Sequence, residues 1–246
     1  MTMKINYLII VLIAFIFFGK PSDIHAQDED PYKDILFMII DGDYEKAVSK
    51  AEKYNDRDKT KREPVPYIYA SMAYFEMSKK EEFQEDYPRA FRDAIKKAYK
   101  AKRYDKENEY MPQHSNYINE LKAEVMREAR FQYQSQKWRK SITYSKYVNR
   151  IDPDDISALL LKGVAEVKGR NTYQAKTTFE EAAEALKSFS ASDVSLEGKD
   201  SYLYAILEYA KLMEEEGTKD KAEPYLDAVA GMFEDDAEFQ NFTEGY

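Results

Sequence analysis

The sequence predicts an all-α protein, and three observations carry that expectation. Gly and Pro, eight of each in 246 residues, are too few for the many tight turns a β-sandwich needs. Ala, Glu, Lys and Tyr are abundant, and the first three favour helices intrinsically. Small residues also recur at long, regular distances: Ser141 and Ala175 stand 34 residues apart, the length of a two-helix repeat.

Composition removes several chemistries at once. With no Cys, the chain has no disulfides, thiolate metal sites or cysteine nucleophile. Two histidines leave little room for imidazole catalysis. The 37 basic and 46 acidic residues give a formal charge of −9, which argues against general nucleic-acid binding. Gly-rich phosphate loops, HExxH and GxSxG patterns are absent from the sequence. The acidic runs Glu214-Glu215-Glu216 and Asp235-Asp236 lack the spacing of a calcium loop. No cofactor, metal or catalytic residue is expected, and the chain reads as a non-enzyme.

Residues 1–26 have the layout of a secretory signal. Lys4 supplies the positive start, Tyr7 to Phe18 is a twelve-residue apolar run, and Pro21 breaks it before Ile24-His25-Ala26. That run spans roughly 18 Å as a helix, short of the ~30 Å hydrocarbon core of a bilayer. Cleavage after Ala26 is expected, leaving a mature domain of residues 27–246 in the periplasm; an uncleaved anchor is the alternative. No later apolar run is long enough to cross a membrane.

The elements then follow in order as helix pairs. Asp41-Gly42-Asp43 is a turn, with Gly42 free to adopt a left-handed conformation and Asp43 placed to cap the next helix, which carries Ala47. A second pair places Tyr67, Ala70, Ser71 and Tyr74 on its first helix, with Ala90 and Ala94 on its second. The third carries Ala129, Trp138 and Ser141 and stops at Ile151-Asp152-Pro153, since proline cannot continue a helix. The fourth, Ile156 to Ser188, holds Leu159, Gly163, Ala175, Phe179 and Ala182, and the fifth holds Ala210, Gly217, Ala222 and Leu226. The small residues Ala47, Ala90, Ser141, Ala175 and Ala222 are separated by 43, 51, 34 and 47 positions. The excess over 34 is assigned to polar inserts at 78–86, 104–115 and 189–199.

The spacing of Leu159, Gly163, Ala175, Phe179 and Ala182 resembles the tetratricopeptide repeat, in which small residues let two antiparallel helices cross closely. The Asp41–Ala47 segment resembles the turn of the same family, and Ala26-Gln27-Asp28 resembles cleavage sites of exported Bacteroidota proteins. The resemblance covers about residues 31–233 and implies a right-handed α-solenoid of about five hairpins. It further implies a concave groove lined by the first helix of each pair. That groove comprises Leu36, Ile39 and Ile40; Ile68, Tyr69, Met72 and Phe75; and Met126, Arg127, Arg130 and Tyr133. Leu160, Leu161, Val164 and Val167 continue it, and Glu208, Lys211, Glu214 and Glu215 end it as a polar cap. From this set Tyr69, Met72, Phe75, Met126, Arg127, Arg130, Leu161, Val164 and Val167 are the expected partner-binding residues; the alternative is a tight solenoid in which these residues bury one another. The family's basic clamp for a terminal carboxylate is missing, although Arg127 and Arg130 lie on one helical face. Tyr69, Tyr104, Tyr110 and Tyr117 fall off the pattern and are free for recognition, and His114 is expected in a solvated loop.

These features imply a scaffold or adaptor that binds protein partners in a bacterial envelope, secretion or motility complex. Two other readings stay open: a permanent subunit docked by its convex face, and a glycan-binding accessory protein.

Overall fold

The computed structural model describes residues 30–246; the segment 1–26 read above as a signal, and the cleavage expected after Ala26, lie outside the described residues. Every regular element among the described residues is a helix. They are α1 Lys33–Ile40, α2 Tyr44–Asn55, α3 Pro64–Ser78, α4 Ala90–Tyr104, α5 Tyr110–Gln113 and α6 Ser115–Gln134. Next come α7 Trp138–Ile151, α8 Ile156–Lys168, α9 Thr172–Leu186, α10 Lys199–Glu215, α11 Glu223–Val229 and α12 Ala237–Gly245. Residues 35–246 form one compact body. No helix of the described residues is long and apolar enough to cross a membrane.

Four of the turns repeat one construction. After α1, α6, α8 and α10 a single residue takes a left-handed conformation: Gly42 (φ 83°), Gln136 (φ 58°), Arg170 (φ 63°) and Gly217 (φ 70°). In each, the next amide reaches back to close the helix: Asp43 N to Met38 O, Lys137 N to Gln132 O, Asn171 N to Glu166 O, and Thr218 N to Met213 O, all 2.8 Å. A second bond joins the left-handed residue to the carbonyl three before it, as in Gly42 N to Ile39 O at 3.1 Å. This paired closure satisfies carbonyls that a helix end leaves orphaned. Asp43 does not cap α2 with its side chain; it pairs with Lys46 Nζ at 2.7 Å instead.

The second connection departs from this pattern. α3 starts at Pro64, where a missing N–H costs nothing, and runs almost wholly apolar and buried from Val65 to Ser71. A polar stretch then leads to α4, whose one apolar face (Ala90, Ala94, Ile95, Ala98, Ala101) packs back onto α3. After α4, the buried Asp105 carboxylate accepts the amides of Glu109, Tyr110 and Met111 at 2.9, 3.0 and 2.7 Å. That organises the 104–115 insert around the short helix α5.

α8 is the centre of the body. Eleven consecutive residues, Ile156 to Glu166, are buried, because α6, α7, α9 and α10 all pack on it. Asp155 caps its start, accepting Ala158 N at 3.1 Å. The small crossing residues are where the sequence put them: Ala47, Ser141, Ala175 and Ala222 are 1% exposed or less, and Ala90 is 4% exposed. The last pair is irregular, since α11 spans only seven residues beside Pro224 and α12, capped by Asp236, follows separately.

Candidate functional site

The residues expected to line an open groove are mostly core. Tyr69, Phe75, Met126, Leu161 and Val164 are at most 3% exposed. Met72, Arg130 and Val167 are half-buried, and only Arg127 is exposed. On α3, Tyr69 is covered by His114 and Phe75 by Phe91 and Tyr117; for Met126, Leu161 and Val164 the reason lies in α10. It follows the long 189–198 connection rather than a three-residue turn, packs along α8 and reaches α6, while the Leu196–Gly198 turn also rests on α6. The chain's own helix therefore covers the surface that was expected to receive a partner.

The two central arginines are used within the fold. The Arg130 guanidinium stacks on the Tyr204 ring at 4.2 Å, and Arg127 pairs with Glu124 one turn earlier. Met126, Arg127, Arg130 and Leu161 do come together, around a recess of about 70 Å³ closed by Glu197, Asp200 and Tyr204. It is too small for a side-chain-bearing segment. Burial and the nearby Glu208 carboxylate push the Tyr133 hydroxyl above its ordinary value.

A polar pocket of about 270 Å³ lies where α6 meets the α7–α8 turn. Lys122 Nζ sits 2.5 Å from Asp152 and 3.0 Å from Asp155. Asp155 also accepts the Ser157 hydroxyl at 2.6 Å. Burial acts to raise the Asp155 carboxyl, but Lys122 and the Ser157 and Ala158 donors outweigh it and hold the group below the usual carboxylate range. Lys122 is likewise held protonated: burial lowers its pKa, and the two carboxylates more than offset that. The cluster is a closed ionic lock between three helices. Among the described residues no group of three or more His, Asp or Glu is placed to hold a metal ion.

The open apolar site is elsewhere. α9 packs on α8 through Ala175, Thr178, Ala182 and Ala185, and it meets α10 through the Phe179 and Tyr209 rings, 4.9 Å apart. Beyond those rings the helices part, leaving a cleft of about 640 Å³ roofed on the far side by α11. Its walls are Val167, Phe179, Ala183 and Leu186 on one side, and Tyr209, Met213 and Tyr225 on the other. Tyr225 packs edge-on against Tyr209 at 5.3 Å. Lys176, Glu180, Glu216 and Lys221 stand at the rim. Of the expected partner-binding residues only Val167 belongs to this cleft. Leu186 and Ala183 carried a signal in the sequence: they are apolar positions on α9 that no crossing requires.

Of the other expected recognition residues Tyr69 is buried, and Tyr104, Tyr110 and Tyr117 are partly covered. Tyr69 is buried against His114 (ring centroids 5.6 Å), and His114 Nδ1 lies 2.9 Å from Tyr110 O, so this histidine is built in rather than solvated. Tyr104 packs on Tyr67 at 5.3 Å. The Tyr117 hydroxyl meets Ser71 Oγ at 2.6 Å, and burial pushes its pKa up. Compared with known proteins, the chain matches no family model and no curated protein.

Proposed function

We propose that this chain is a non-enzymatic helical-repeat scaffold of the tetratricopeptide kind, exported to the cell envelope, that seats a helical segment of a partner protein between α9 and α11. The observation that carries the reading is the parting of α9 from α10. In stacked helical pairs the second helix of one pair packs along the first helix of the next, as α2 does on α3 and α7 on α8, though α4 does not pack along α6, from which the 104–115 insert separates it in the chain. At α9 that contact includes Phe179 and Tyr209, and beyond them a cleft is left whose α9 wall is the accessible one: Ala183 is exposed and Phe179 and Leu186 are half-buried, whereas Tyr209, Met213 and Tyr225 opposite are at most 4% exposed.

The recurring left-handed turns at Gln136 and Arg170, 34 residues apart, support a repeat construction. So does the burial of the five small residues at matching positions. The occupant is read as a helix because the cleft is walled by helices and has no exposed strand edge to extend. From Thr172 to Leu186 the wall is about 21 Å long, four turns of a guest helix.

The test is affinity isolation from envelope fractions with the wild type and with Ala183→Glu, an exposed position on the cleft wall. Loss of the wild-type partner set from a folded Ala183→Glu protein is expected. Recovery of the same set would move the site off the cleft, and recovery of polysaccharide with no protein would end the scaffold reading.

A further inference from the structure

The chain is acidic as a whole, yet two neighbouring helices are strongly basic. α4 carries six Lys and Arg against one acid, Asp93, and α7 carries four against none, so together they hold a formal +9 within a chain of −9. The two helices pack side by side. On α4, Arg92, Lys100 and Arg103 are exposed, and on α7 so are Arg139, Lys140, Lys146 and Arg150. Among the described residues none of the seven forms a salt bridge, although Lys146 acts on the Glu166 carboxylate through space. The spacing is that of one helical face: Arg92 to Arg103 and Arg139 to Arg150 are each eleven residues, rows of about 16 Å set about 8–10 Å apart.

The seam between the rows is filled. Two contacts cross it: Arg150 of α7 lies over Tyr99 of α4 at 5.5 Å, and Arg92 of α4 acts on Tyr144 of α7, whose ring packs edge-on against Tyr147 of the same helix. A polymer strand needs a channel to follow, and these rings occupy the place where one would run. Two parallel rows with a closed seam instead present cations in a plane. From this geometry we infer that the α4–α7 face adsorbs to a lipid bilayer through its anionic headgroups. The large exposed apolar side chains Phe37, Ile40, Phe131, Tyr173 and Leu196 lie on neither helix, so contact is electrostatic and reversible rather than insertive. The face shares no residue with the α9–α11 cleft, which stays available to a partner.

The test is co-sedimentation of the full chain with phosphatidylcholine vesicles, with and without phosphatidylglycerol. The apolar run Tyr7 to Phe18 and the flanking Lys4 and Lys20 are common to every variant, so the readout is the ratio of the two partition coefficients, compared between wild type and variants. A cation near an anionic surface is worth about fivefold in partition, so Arg92→Gln/Arg139→Gln should lower the ratio roughly 25-fold at low salt. Raised salt should remove the preference in the wild type. Lys176→Gln/Lys221→Gln, the same charge change at the cleft rim, should leave the ratio unchanged. A wild-type ratio near one, an equal loss in the cleft-rim variant, or retention on heparin without any vesicle preference would each overturn the inference.

Discussion

Gly163→Ala probes the closest helix approach in the body. A Cβ placed on Gly163 falls 2.3 Å from Phe179 Cε1, 2.7 Å from Cδ1 and 2.9 Å from Cζ. Carbon atoms in good contact stay about 3.5–4.0 Å apart, so the ring must move by more than an ångström. Tyr209 stands against that ring at 4.9 Å, so the way out leads into the α9–α11 cleft and sacrifices the aromatic contact. Two terms oppose each other. Replacing Gly by Ala inside a helix gains about 1 kcal/mol. Overpacking costs about 1–3 kcal/mol, and a displaced ring belongs at the upper end. The net expectation is a loss of about 1–2 kcal/mol. Thermal unfolding followed by circular dichroism should show Tm lower by about 2–8 °C in a chain of this size. Phe179→Leu removes the obstructing ring, so the double variant should recover stability and the cycle should be non-additive by about 1 kcal/mol. If Gly163→Ala matches or exceeds the wild type and the cycle is additive, the close approach is refuted.

The left-handed turns give an opposite sign. Arg170→Gly and Gln136→Gly should each stabilise by up to about 1 kcal/mol, because both residues are exposed and hold a conformation that costs a Cβ about that much; chemical denaturation midpoints check it. Lys122→Met should destabilise by about 3–5 kcal/mol, since it leaves the buried Asp155 carboxylate without its counter-charge. The pH dependence follows from the same group. Asp155 titrates lower in the folded state than in the unfolded one, so its contribution is complete above the ordinary carboxylate range and is lost as the pH falls through its lowered value. Acid unfolding of Lys122→Met should therefore lack that component, and an unchanged acid profile would remove Asp155 from the account. Val164→Asp buries a charge at a fully covered site and should abolish cooperative unfolding, whereas Ala183→Glu should melt like the wild type.

Much of the local structure was legible because local sterics decide it. Pro153 ends α7, and Gly42 and Gly217 close α1 and α10, each by a backbone restriction or freedom belonging to that residue. Gln136 and Arg170 do the work of Gly without being Gly, so composition gave no sign of them; only the 34-residue spacing pointed there. The tyrosines off the repeat pattern looked free because pattern positions report one helix pair at a time. Tyr117 and Tyr69 are covered by contacts with residues about 46 positions away, as in Tyr117 with Ser71 and Tyr69 with His114.

The sequence by itself determined a cysteine-free, acidic chain of helices, with its crossings at Ala47, Ala90, Gly163, Ala175 and Ala222. Periodicity and small-residue spacing are properties of the chain over a few turns, and they do not depend on the rest of the fold. Tertiary structure alone decided which apolar surface stays open. The 189–198 connection lets α10 settle on α8 and α6, burying Leu161, Val164 and Met126 and opening the face of α9 instead. That outcome depends on competition between surfaces far apart in sequence for the same apolar partner, and helical periodicity is identical whichever surface wins.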